Sequence, residues 1–199
     1  MNLPFDTVMG PDSENHPPAL TEEAEPKRWY VMRDLKRHNA KMPAFKELAM
    51  KGIEVFTPLK SRLSVCGGKR IREEIPVIQD LLFVHESRGI LDPVVEKTPT
   101  LQYRFVRGGF REPMTVRDAD MERFIYAVRA AESPVFYVPD ELTPQMCGKK
   151  VRMVGGNLDG YEGRLLAVRG SRVKRILIEL PNLLSVSVEV QPEYIQLIN

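Results

Sequence analysis

The last quarter of this chain is punctuated by glycines at fixed intervals, and that spacing leaves few folds open to it. Gly148, Val151, Met153, Gly156, Leu158, Gly160, Gly163 and Leu165 follow the pattern G-x-x-V-x-V-x-x-G-x-(apolar)-x-G-x-x-G-x-(apolar), with Met153 and Leu165 as apolar substitutes. Gly156 and Gly160 bracket a tight turn that needs positive φ or close approach, and Gly163 lets the following strand bend. Around them every run is β-like: 150–154, 161–168, 173–180, 184–190 and 195–198 are short and apolar-rich, separated by Gly, Pro and polar turns. Five short strands within about 55 residues predict a small β-barrel over 145–199, because closing a sheet on itself removes its exposed edges.

Upstream the pattern is mixed. Arg28 to Arg33 is an aromatic and β-branched run that reads as a strand. The period then turns helical at Met42, Phe45, Leu48 and Ala49, with Asn39 as candidate N-cap, Pro43 tolerable only near the first turn and Gly52 as the stop. Ile53 to Thr57 resumes as strand. Residues 60–75 alternate basic and apolar positions around Cys66, Gly67 and Gly68, which predicts a long exposed hairpin bearing Lys60, Arg62, Lys69, Arg70 and Arg72. Asp80 to His85 is nearly continuously apolar and should be a central, buried strand, with His85 at its end as a structural or exposed residue. A short helix over 90–96, a strand over Leu101 to Arg107, and an amphipathic helix entered near Asp118 complete the unit. That last helix carries Met121, Phe124, Ile125 and Val128 on its apolar face and Arg117, Arg123 and Arg129 toward solvent. Residues 27–132 therefore read as a β-α-β-hairpin-β-(α)-β-α domain, and the chain as α+β.

Between the two domains, residues 133–144 contain Pro134, Pro139 and Pro144, the composition of a linker. At the other end, residues 1–26 hold six acids, five prolines and no Lys or Arg, and are expected to be a disordered acidic arm. That leaves 29 basic against 21 acidic residues downstream, a surplus that permits a polyanionic partner without requiring one. Among the basic residues, Arg33, Lys36, Arg37, His38 and Lys41 gather at the first strand-to-helix turn, and Arg169, Arg172, Lys174 and Arg175 at a hairpin of the second domain. Either group reads as a polyanion contact or as a solvated face.

Catalytic spacings are missing: there is no GxSxG, P-loop or dinucleotide GxGxxG, and no Cys or Ser with a His partner. Cys66 and Cys147 stand far apart, and with His16, His38 and His85 they offer no ligand spacing, so neither a metal nor a cofactor is expected. No apolar run approaches a membrane span and no secretory signal opens the chain, so a soluble, cytoplasmic, non-enzymatic protein with no membrane partner is expected.

The glycine pattern at Gly148, Gly156, Gly160 and Gly163 resembles the KOW motif of NusG-like factors and certain ribosomal proteins. A second resemblance is independent of it. Trp29-Tyr30-Val31, the helix, Gly52 to Pro58, the basic hairpin and Leu81 to Val84 follow one another as in the NusG amino-terminal domain, so the likeness covers about residues 27–199. It implies an α/β sandwich followed by an SH3-like barrel, acting by binding: the first domain docks on the clamp helices of the RNA polymerase largest subunit and favours processive elongation. The patch it would use is expected at Trp29, Tyr30, Ile78, Leu81 and Phe83, although strand alternation must send some of these five into the core. Further partners implied are non-template DNA or nascent RNA near the Arg33 to Lys41 cluster, and a ribosomal small-subunit protein or termination factor on the barrel.

One departure from the family is specific. Where the general factor has Phe-Pro-Gly-Tyr before its strand, this chain has Ile78-Gln79-Asp80-Leu81, which keeps apolar character and loses the aromatics. With the acidic arm, this makes the chain most similar to the specialised UpxY and RfaH-like antiterminators of capsular polysaccharide operons. The alternatives are a general NusG elongation or termination factor, and an RNA-binding or ribosome-associated KOW protein.

Overall fold

The computed structural model describes residues 25–36, 40–167 and 170–198. Most of the expected acidic arm, together with Arg37, His38, Asn39 and Arg169, lies outside the described residues. The first sheet is antiparallel and built around β1 (Arg28–Asp34), with β2 (Glu54–Phe56) and β5 (Leu82–Glu86) on one side and β6 (Leu101–Tyr103) and β7 (Thr115–Val116) on the other. Between β2 and β5 the chain runs out as a two-stranded hairpin, β3 (Leu59–Cys66) and β4 (Lys69–Pro76), turned at Gly67-Gly68 as expected.

Both faces of the first sheet are covered, which is why its strands are apolar at successive positions. Tyr30, Met32, Leu82, Val84 and Leu101 pack under helices α1 (Ala44–Met50) and α2 (Arg88–Lys97) with Ala44, Leu48, Ile53 and Leu91. On the opposite face Trp29, Val31, Leu81 and Phe83 meet Met121, Phe124, Ile125 and Ala127 of α3 (Asp118–Ala130). Asp34, at the end of β1, accepts the Ala44 N–H at 2.7 Å, so the strand end caps the helix that follows it.

The second sheet contains β8 (Val135–Tyr137), β9 (Cys147–Met153), β10 (Glu162–Leu166), β11 (Arg175–Leu180), β12 (Leu184–Glu189) and β13 (Ile195–Leu197). Its order is β13-β9-β10-β11-β12-β8, with β13 and β8 at its two ends. The five strands expected from the sequence are present, and a sixth comes from the segment read as linker. Val135-Phe136-Tyr137 pairs with Ser185 to Ser187 of β12, while Pro134 and Pro139 on either side confine it to the sheet edge. The expected turn forms at Gly156–Leu158, where Gly156 and Gly160 have φ of 71° and 76°.

The two sheets share α3. It contacts β1 of the first sheet, and β11, β12 and the Gly156–Leu158 turn of the second. One apolar cluster therefore runs from Trp29 and Phe83 through Phe124 to Val151, Ile176 and Val186. Among the described residues no helix is long and apolar enough to cross a membrane.

Candidate docking and nucleic-acid surfaces

Alternation divides the five expected patch residues between the two faces of the first sheet, yet four of them are core. Trp29, Tyr30, Leu81 and Phe83 are each 5 % exposed or less, because helices cover both faces. Only Ile78, in the turn that leads into β5, is half-buried, packed against the cluster of Trp29, Leu81 and Phe83. The expectation of a five-residue surface patch is corrected accordingly: in this arrangement four of its members hold the sheet to its helices.

The 76–81 turn itself is firmly placed. Leu81 N–H donates to the Ile78 carbonyl at 3.3 Å, and the Thr57 hydroxyl donates to the Leu81 carbonyl at 3.0 Å. Asp80 accepts from Arg33 Nε at 3.0 Å and from Arg104 Nη2 at 3.2 Å. Beside the turn, the base of the hairpin and the start of α1 enclose a groove of about 840 Å³ lined by Phe45, Leu59, Ile75, Val77 and Leu81, with Lys36 and Lys46 at its border. Asp34, Glu73 and Glu74 line it as well as Lys60 and Arg62, so its floor is apolar and its walls carry both signs of charge, a mixture that suits a protein surface of the same mixed kind.

Two residues of the basic cluster at the first turn, Arg33 and Lys36, are engaged inside the molecule. Lys36 Nζ donates to Glu47 at 2.7 Å and to the Met42 carbonyl at 3.0 Å, and the first of these bonds, with that from the Lys51 ammonium, holds the Glu47 carboxyl below its ordinary range. Arg33 is bound to Asp80. Lys41 is exposed, and Arg37 and His38 fall outside the described residues. On the second sheet Arg175 is likewise internal, donating to the Ser187 hydroxyl and pairing with Glu189, while Arg172 and Lys174 are exposed.

His85 is a structural residue, as its position at a strand end suggests. Its ring stacks on Trp29 with centroids 4.9 Å apart, and Nδ1 lies 2.9 Å from Glu54. Between α3 and the second sheet a small polar seam forms. Tyr126 stacks on Tyr161, Arg123 covers the Tyr161 ring at 5.4 Å and donates to the Glu162 carbonyl at 3.3 Å. Arg123 is exposed, as expected, and also binds across to the other sheet. Glu162 is gripped by Arg152 and Lys150, which hold its carboxyl down at about 2.

Of two exposed apolar features, the one on the hairpin follows from its alternation and the one on the loop after β6 does not. The hairpin carries Leu63 and Val65 on one face, 69 % and 72 % exposed, opposite Arg72 and Arg70. The loop after β6 carries Phe110 at 92 % exposure. The only signal for Phe110 is local: an aromatic set between Gly108-Gly109 and Arg111, in a stretch with no strand or helix period to bury it.

Residues 27–125 match the family described as "Transcription termination factor nusG". The matched segment begins just before β1 and ends within α3, so it coincides with the first sheet and the helices that cover it. Among solved structures, one titled "Domain interaction in Thermotoga maritima NusG" aligns with a TM-score of 0.42 at 13 % identity, covering 87 % of this chain and 98 % of that one. No curated protein sequence matches the chain.

Proposed function

We propose that this chain, whose residues 27–125 form a NusG-family domain, is a transcription elongation factor that binds RNA polymerase and favours processive elongation. The observation that carries this reading is the coincidence of the family match with the first sheet and its helices, from β1 into α3. The activity is binding rather than catalysis. Polymerase docking is assigned to the Ile78 turn and the groove beside it, where an aliphatic side chain rests on an aromatic core and charged residues of both signs surround an apolar floor. The clamp helices of the largest subunit are the partner the family resemblance suggests. The second sheet, with its Gly148, Gly156, Gly160 and Gly163 spacing, is assigned as a KOW domain that recruits a further protein. The aliphatic turn in place of an aromatic one favours an operon-specific antiterminator, of the kind that serves surface polysaccharide genes, over the general factor.

The test uses the full chain and purified RNA polymerase. Wild-type protein should co-purify with polymerase and shorten pauses in a promoter-initiated elongation assay. Ile78→Ala should weaken binding roughly tenfold, the loss expected of one central apolar anchor, with thermal unfolding measured beside it to separate that loss from the cost of trimming a half-buried side chain. Leu81→Asp is the wrong probe, since a charge placed at a core position would unfold the sheet. Absence of polymerase binding, with sedimentation on ribosomes instead, would assign the chain to the ribosome-associated alternative.

A further inference from the structure

The strand beside β1 on the side away from β5 is interrupted. β6 and β7 both pair antiparallel with β1, and between them the chain leaves the sheet and returns to the same residue. Arg104 N–H donates to the Val31 carbonyl at 2.9 Å, Val31 N–H donates to the Met114 carbonyl at 2.9 Å, and Met114 N–H donates to the Arg104 carbonyl at 2.7 Å. Residues 105–113 thus form a ribbon with a fixed base, narrowed by a Phe105–Pro113 bridge and by Val106 N–H to the Glu112 carbonyl at 2.9 Å. At its far end Gly109 N–H donates to the Val106 carbonyl at 3.1 Å, and Phe110 is the most exposed large apolar side chain among the described residues, at 92 %.

Three details set this aromatic apart from an ordinary surface phenylalanine. Arg111 adopts φ of 49°, a left-handed conformation that an arginine avoids, and its guanidinium carbon lies 5.8 Å from the Phe110 centroid. The charge of the tip is one-sided: Arg107 and Arg111 stand against Glu112 alone, Arg104 at the base being paired with Asp80, and Glu112 folds back toward Gly109. Gly108 has open space where a side chain would stand, which leaves room for a ligand backbone to approach.

We propose that the 105–113 ribbon is a contact site for single-stranded nucleic acid, in which Phe110 stacks on an unpaired base while Arg107 and Arg111 neutralise the phosphates on either side. An exposed ring with a cation over it and guanidiniums around it is the combination that sequence-tolerant single-strand binders use, because every base offers a π face and every linkage a charge. An apolar protein pocket would have to desolvate those same guanidiniums, which disfavours a protein occupant. The contact does not require polymerase, so its test is independent of the docking assignment.

The test is fluorescence anisotropy of the full chain with labelled oligothymidine and oligouridine of about 12 nucleotides, against a duplex of equal length. Wild type should bind one or both single strands more tightly than the duplex, and the tighter of the two identifies the strand as DNA or RNA. Phe110→Ala should weaken that binding roughly 5- to 150-fold. Arg111→Ala should lower the slope of log affinity against log salt by about one phosphate contact. Phe110→Trp should retain affinity and report stacking by quenching of the new indole, which is readable because Trp29, the one native tryptophan, is buried. Phe110 touches no core, so Phe110→Ala should fold normally. Equal binding of duplex and single strand, an affinity of Phe110→Ala within about twofold of wild type, or no single-strand binding by the wild-type chain would each overturn the proposal.

Discussion

At Gly163 the backbone of β10 passes so close to β11 that a Cβ would lie 2.4 Å from the Leu177 carbonyl oxygen and 2.7 Å from Ile176 Cγ1. Neither can move away freely, since both belong to a hydrogen-bonded strand with a fully buried side chain at Ile176. Gly163→Ala should therefore cost about 1–3 kcal/mol by overpacking, seen as a lower urea midpoint at unchanged slope. This residue was legible beforehand because its spacing from Gly156 and Gly160 already marked a bend. The basic residues were not legible in the same way. Arg33 and Lys36 are engaged by Asp80 and Glu47, and whether an arginine faces a ligand or a carboxylate brought in from another strand is a fact of the folded chain alone. Four of the five proposed docking residues went the same way: an apolar strand residue has the same letter whether water or a helix lies above it.

Helix α1 spans seven residues, too short to persist by itself, so it depends on its cap and its packing. Asp34 supplies the cap and also accepts the Lys36 N–H at 3.0 Å, tying the turn between β1 and the helix to one carboxylate. Asp34→Ala should cost about 1–2 kcal/mol and speed amide exchange in α1 ahead of β1, as measured by hydrogen exchange. The helix was visible in the sequence through the period of Phe45, Leu48 and Ala49, and its cap was not, since Asp34 lies a full loop away in the chain. β8 shows the opposite failure. Its three residues sit between prolines and look like linker, and they become a strand because β12 offers an unpaired edge to receive them. The β3–β4 hairpin was legible in full, as its glycine pair and alternation are both local.

For the molecule as a whole, the decisive feature is that α3 belongs to both sheets. A helix whose apolar residues are divided between two partners couples them, so the described structure should unfold as one cooperative unit. In a Cys66→Ser background, loss of Trp29 fluorescence reports the first sheet and thiol labelling of the half-buried Cys147 reports the second. Both should follow a single urea transition; labelling of Cys147 well before Trp29 responds would show two independent units. The ribbon at Val31 stands outside this coupling. Because departure and return are fixed on one residue, the segment between them can change length at a loop-closure cost of only about 0.6 kcal/mol per doubling, without shifting any strand register. The sheet thus acts as a chassis with an exchangeable tip, on which new ligand preferences can be tried by insertion, deletion or grafting while every core contact stays as it was.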